Sequence, residues 1–264
     1  MTARPVGSSA VMASGIVSLD LHYCGWETAS RVVLAVAVAA WLLAGATGDL
    51  TGEVAGVAAT AALGSRLGAL GWRAAVWASL ALAAALWIRR VPAVVNRRDA
   101  SGSVFLGTVA TQSLAILAAA VGARVAGLAL LAGGLVLYAR AARRFRLREL
   151  VRGAGDHWVA GGALAISTLA CADLAARLPA EALWLCALAW LPALVAGELL
   201  EPRLGGVPAR WSTAFPLGMY AAMSFAVSRL AGLGWLEPLA RDWTVVATAV
   251  WALVLIASVA PRRG

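Results

Sequence analysis

The chain contains no lysine: all 22 of its basic residues are arginine. Charge of either sign is scarce, at 13% of residues, where a soluble domain carries about a quarter. Only two histidines occur, His22 and His157, and the three cysteines, Cys24, Cys171 and Cys186, stand at no metal-ligand spacing. The cysteines read as free thiols packed as small apolar residues. Neither GxSxG nor HExxH is present, so hydrolytic and metal-dependent chemistry have no motif to rest on. The chain therefore reads as a non-enzyme with no metal and no cofactor. The roughly ten-residue alternating segments of a transmembrane barrel are missing too. So are long polar tails and linkers, which makes residues 1–264 read as a single transmembrane domain.

Apolar residues are abundant. They make up 62% of the chain, and the mean hydropathy is +0.83. A helix needs about 20 apolar residues to cross ~30 Å of hydrocarbon, and ten runs approach that length. They cover roughly 6–24, 31–48, 52–71, 72–88, 103–122, 124–140, 158–176, 181–200, 211–230 and 242–260. Ser14, Gly15, Ser18 and Asp20 interrupt the first, which argues against a cleaved leader. The third is the weakest by hydropathy. Tryptophans 41, 77, 190 and 251 lie deep in their runs and read as lipid-facing or packing residues.

The formal net charge is +9, but the arginines cluster at the ends of apolar runs. That is the placement for anionic lipid head groups, not nucleic acid. Ten spans put both termini on one side, and that side receives fifteen of the 22 arginines, including the run ARAARRFRLRELVRG. The other seven, Arg66 among them, fall opposite. By the positive-inside rule both termini are cytoplasmic and the chain is a multi-pass protein of the plasma (inner) membrane.

Two kinds of span alternate. Even-numbered spans such as VVLAVAVAAWLLAG and TVVATAVWALVLIASVA are mostly Leu, Ala, Val and Trp. Odd-numbered spans such as SSAVMASGIVSLD, SGSVFLGTVATQSLAIL and WSTAFPLGMYAAMS are rich in Gly, Ser and Thr, and each carries a glycine or proline, Gly15, Gly107, Gly161 and Pro216 among them. Helices facing lipid have no use for hydroxyls or glycines, whereas small and polar residues suit helix interfaces or a water-filled lumen. An all-α fold of five helical hairpins follows, with odd helices inside and even helices outside. The same small residues would also pack a solid bundle.

Four segments carry a family resemblance: VMASGIVS at 11–18, GTVATQSLA at 107–115, GDHWVAGGALAIS at 155–167 and TAFPLGMYAA at 213–222. They resemble the first, fifth, seventh and ninth spans of the tellurite-resistance/C4-dicarboxylate transporter family, which includes the plant slow anion channels. The resemblance implies ten helices in five hairpins, quasi-fivefold symmetry around a central pore lined by odd helices, and a homotrimer with one pore per protomer. It implies transport of small anions, with Phe215 as a mid-membrane plug. The family also contains proton-coupled carriers and exporters of dicarboxylate, sulfite or tellurite, so that alternative stands beside a channel.

On this reading Pro216 breaks the ninth helix and frees the Ser212 carbonyl. Phe215 shares a helical stripe with Gly218, Met219 and Ala222. The lumen is expected to offer hydroxyls and backbone with almost no fixed charge. Two readings stand for Thr108, Thr111 and Gln112: facing the pore, or bonding a neighbouring helix. Asp20 with His22, and Asp156 with His157, are candidate proton-coupling pairs, and equally candidate capping groups at span ends. The expected partners are a small anion and membrane lipid.

Overall fold

A computed structural model of the chain describes residues 7–95, 101–152, 156–200 and 207–259. Arg4, Arg97, Arg98, Arg203, Arg262 and Arg263, which entered the arginine count, lie outside them. Among the described residues the protein is all-α with no strand, and ten helices have fifteen residues or more. They are α1 (Ser8–Tyr23), α2 (Glu27–Ala46), α3 (Ala55–Ala69), α4 (Arg73–Val95), α5 (Leu106–Ala120), α6 (Arg124–Arg144), α7 (Trp158–Asp173), α8 (Arg177–Leu200), α9 (Val207–Ala231) and α10 (Leu236–Val259).

Each odd helix turns into the next even helix through the same tight connection. A backbone N–H reaches back five residues at all five corners: Trp26 to Leu21, Trp72 to Leu67, Ala123 to Ala118, Ala176 to Cys171 and Leu233 to Ser228. This is the 6→1 bond of a Schellman cap, which needs a left-handed residue just past the helix. Gly25, Gly71, Gly122 and Gly232 supply it at φ of 79°, 84°, 80° and 70°. At the fourth corner the residue is Ala175, at φ 57°.

The odd helices start on one face of the molecule, the N-face, and end on the other, the C-face. At the N-face Ser8 of α1 donates to the Asp49 carbonyl shortly before α3, and the Ser103 N–H before α5 donates to Asp156 before α7. At the C-face Arg66 of α3 reaches Ser18 of α1, and Arg229 of α9 covers the Tyr23 ring at the end of α1. α1 packs on α3, α3 on α5, α5 on α7, α7 on α9 and α9 on α1, and each even helix packs on the odd helix before it.

Burial follows the same division. Thirteen of the 16 residues of α1 and fourteen of the 16 of α7 are buried, against four of 23 in α4 and four of 21 in α6. The even helices expose Leu42, Trp77, Val136, Leu185 and Ile256, so their outward faces are apolar. Among the described residues six helical segments are long and apolar enough to cross a membrane: α2, α4, Gly102–Ala120, α6, α8 and α10. Ten spans were expected, and the difference lies in the odd helices. At 15 or 16 residues α1, α3 and α7 are about 22–24 Å long at ~1.5 Å per residue, short of the ~30 Å hydrocarbon thickness. Helices enclosed by others meet protein instead of lipid, so neither length nor hydropathy is held to the bilayer.

Tryptophans tie the two sets together. Trp41 of α2 donates to Thr60 of α3 (3.2 Å), Trp87 of α4 to Thr111 of α5 (2.8 Å) and Trp184 of α8 to Ser224 of α9 (3.1 Å). Trp251 of α10 donates to Ser14 of α1 (2.9 Å), joining the last helix to the first. Trp251 and Trp41 are thus anchoring residues, with the polar tip of the indole satisfied inside the protein. Ser14→Ala orphans a buried indole N–H, which costs about 1–3 kcal/mol. Thermal unfolding in detergent is expected to record that loss, while Ser9→Ala, off this bond, leaves the midpoint unchanged.

Candidate functional site

A narrow cavity of about 60 Å³ draws its wall from all five odd helices. α1 contributes Ile16, Leu19 and Tyr23, spaced as one helical face. α3 adds Ala58, Ala61, Ala62 and Ser65; α5 adds Ser113 and Ile116; α7 adds Ile166, Leu169 and Asp173. From α9 come Phe215 and Met219. On α1, α5, α7 and α9 the lining begins at the eighth or ninth residue, and on α3 at the fourth, Ala58. The cavity therefore occupies the C-face half, with Phe215, Ile16 and Ala58 at its deep end and Tyr23, Ser65 and Asp173 at its mouth. The volume holds a few water molecules at about 10–15 Å³ each.

Phe215 is 2% exposed and stands at the deep end of the wall. α9 runs through Pro216 as one helix, which corrects the expected break. Proline still lacks an N–H, so the Ser212 carbonyl loses its usual i+4 donor. Gly162 of α7 accommodates the ring: a Cβ there would lie 3.0 Å from Pro216 Cγ. The proline is therefore seated by a glycine on the neighbouring inner helix.

The other expected stripe members divide. Met219 lines the cavity with Phe215. Gly218 turns toward α1, where a Cβ would lie 2.8 Å from Ile16 Cγ2 and 3.1 Å from Asp20 Oδ2. Ala222 is buried without lining the cavity. Gly15 permits the close approach of α1 to Ala62 of α3, Gly161 faces Leu194 of α8 and the Tyr220 hydroxyl, and Gly107 has Val95 and Leu137 nearby. These three glycines serve helix contacts; none is among the lining residues.

Thr111 and Gln112 of α5 turn to the outer helices. Gln112 Nε2 donates to the Leu131 carbonyl of α6 at 3.2 Å, and its amide rests on Gly134. Thr111 accepts the Trp87 N–H and donates to the Gly107 carbonyl. Thr108 is fully buried, and none of the three lines the cavity. The expected hydroxyl-lined lumen is thus replaced by a mostly apolar one: Ser65 and Ser113 are its hydroxyls short of the mouth. Four hydroxyls of inner helices, on Ser14, Thr60, Thr111 and Ser224, hold outer tryptophans, while Ser113, Ser167 and Thr168 donate to carbonyls of their own helices.

Charge gathers at the mouth. Asp173 lines it, and the Arg229 guanidinium sits 4.3 Å from the Tyr23 ring centroid, within cation–π range. Arg66 lies nearby, 0% exposed, although arginine placement had put it at the membrane edge. Its Nε donates to Ser18 Oγ (3.2 Å) and Ser30 Oγ (3.0 Å), and Nη2 to Glu27 (3.1 Å). Glu27 also holds His22 at 2.7 Å and Arg31 at 3.0 Å. Tyr23 and Asp173 went unread in the sequence, and Arg229 was counted only among the seven arginines opposite the termini; the i+4 step from Leu169 to Asp173 was the available signal.

The proposed pairs of ionisable groups come apart. His22 turns to Glu27, while Asp20 is 0% exposed, with both carboxyl oxygens lacking a hydrogen-bond partner among the described residues. Two residues apart on a helix, they point about 160° from one another. Asp156 accepts the Ser103 N–H at 2.9 Å, and His157 is buried beside Trp158 at the N-face. Cys24 and Cys171 are buried free thiols as expected, and Cys186 is exposed. No protein-family model and no characterised protein matches the sequence.

Proposed function

We propose that the chain is a ten-span membrane protein of five helical hairpins, with odd helices ringing a pore in each protomer, and that it conducts small anions past a gate at Phe215. The observation that carries this reading is the cavity walled by all five odd helices, with Phe215 at its deep end. The cyclic packing of odd helices and the five like corners support the hairpin arrangement. The arginine asymmetry supports cytoplasmic termini in the plasma membrane, and the homotrimer rests on the family resemblance alone.

An apolar constriction blocks an ion by refusing it hydration, and opens when the apolar group withdraws. Phe215 and Met219, with Ile16 and Ile166 on the flanking helices α1 and α7, supply such a constriction. The absence of fixed charge along most of the wall favours weak binding and fast exit, as conduction requires. Arg229 at the mouth attracts anions, and Asp173 tempers that attraction. Anion flux into proteoliposomes, measured with and without a proton gradient, tests the reading. Flux that needs no proton gradient supports a channel; flux that requires the gradient and saturates supports the carrier.

One observation favours the carrier as a second reading. Asp20 is a buried carboxyl without a donor among the described residues, packed against Gly218 three residues from Phe215. Intramembrane ionisable groups of this kind serve as proton relays. If flux is coupled, Asp20→Asn is expected to abolish the stimulation by a proton gradient and leave downhill anion exchange intact. Stimulation equal to wild type would exclude Asp20 as the coupling group.

A further inference from the structure

A second concavity, remote from the pore, opens on the outer surface between α8 and α10. It measures about 490 Å³ and reaches inward to α9, whose Thr213 and Leu217 form part of its lining. Val195 of α8 and Val246 and Val250 of α10 wall it. Val195 and Val246 are 41% and 44% exposed, so the groove communicates with whatever surrounds the protein. At its N-face end stand Trp158, Glu198 and Arg210.

The chemistry of that end is unbalanced. Arg210 Nη1 donates to Glu198 Oε1 at 2.6 Å, and Trp158 Nε1 donates to the other carboxylate oxygen at 3.4 Å. Arg210 Nη2 and Thr213 Oγ1 are buried with no hydrogen-bond partner among the described residues, and Thr213 is only 7% exposed. Arg210 and Thr213 are i, i+3 neighbours on α9, so both donors sit on one helical face beside the groove. An unmatched buried donor is costly, most of all one on a group that stays charged. The fitting ligand brings negative acceptor oxygens to this end and a long apolar extension to the rest. A free anion leaves the apolar groove unused, and a neutral hydrocarbon leaves the donors unmatched.

We propose that this groove binds one anionic phospholipid, its phosphate on Arg210 Nη2 and Thr213 Oγ1 and one acyl chain along Leu217, Val250 and Val246. A rotamer change at Arg210 turns Nη2 toward the head group while Nη1 keeps Glu198. Arginines near a membrane surface attract anionic head groups. A helix from a second copy, about 10 Å wide with its side chains, rests on the rims formed by α8 and α10 and leaves both donors unmatched. The site rests on the chain being membrane-embedded but not on its conducting anions. A lipid seated here lies against the back of the gate helix, two residues from Phe215.

The test is lipid retention by native mass spectrometry, after reconstitution with phosphatidylglycerol and phosphatidylcholine of identical chains. Wild type is expected to retain phosphatidylglycerol about fivefold better, the equivalent of the roughly 1 kcal/mol that one arginine adds near an anionic surface. Arg210→Gln is expected to erase that preference with phosphatidylcholine retention unchanged. Val250→Trp fills the groove, keeps the polar end intact and is expected to lower retention of both lipids, which covers the case in which Arg210→Gln fails to fold. Equal retention of the two lipids by wild type overturns the proposal, as does a preference that survives Arg210→Gln. A Val250→Cys variant that cross-links between copies in liposomes also overturns it, because a second chain then occupies the groove.

Discussion

Phe215→Ala is expected to raise anion conductance about tenfold or more, which corresponds to roughly 1.4 kcal/mol removed from the permeation barrier. The ring is the bulkiest group at the deep end of the cavity, and on α9 only Met219 lines the wall with it. Removing it widens the apolar neck without altering any charge. Truncating a buried phenylalanine also costs about 3–5 kcal/mol of stability wherever it sits, so the comparison must separate gating from loosening. Phe105 supplies the control. It is 0% exposed, packs with the Tyr138 and Phe145 rings at centroid distances of 5.1 and 5.5 Å, and none of the three lines the cavity. Phe105→Ala is expected to lower the unfolding midpoint comparably and leave conductance unchanged. A rise in both variants would mean that a loosened bundle leaks, and that Phe215 has no special part.

Glu27→Gln is expected to lower thermal stability more than other single changes at the C-face. Arg66 is fully buried, and Glu27 is the carboxylate that meets it. With glutamine at 27, the guanidinium keeps the hydroxyls of Ser18 and Ser30 but no counter-charge. Removing one partner of a buried ion pair is strongly destabilising because the other charge is stranded. Arg31→Gln breaks a second bond to the same carboxylate, but Arg31 is 68% exposed, so the change is expected to leave the unfolding midpoint unaltered. The double variant Glu27→Gln, Arg66→Met is expected to recover much of the loss, since an apolar side chain then fills the space. Equal midpoints for Glu27→Gln and Arg31→Gln would show that Arg66 does not depend on Glu27.

Hydropathy made the even helices easy to read, because their outward residues are apolar along their length. The odd helices were legible as a class, through glycines and hydroxyls, but their faces were not. α1 is buried on nearly every side, so no apolar stripe marks which residues point to the cavity. Thr111 and Gln112 looked like lumen residues by type, yet they bond α4 and α6, while Ser113 and Ile116 take the cavity face. Arg66 was assigned to the membrane edge because arginines gather there. Its partners Ser18, Ser30 and Glu27 lie 36 to 48 residues away in sequence, a distance no local pattern reports. Phe215 and Met219 were found because the proline-containing motif drew the eye to one short segment. The break expected at Pro216 did not follow, because Gly162 on another helix gives the proline ring its seat.

The central claim is that anions cross through the cavity enclosed by the odd helices. Its most direct test is the current through purified protein in a planar bilayer under an anion gradient, with Phe215→Ala beside wild type. The expected result is an ohmic current whose reversal potential follows the anion gradient and whose size rises in Phe215→Ala. A reversal potential that follows the cation gradient, or no current above bare lipid in either protein, would contradict it.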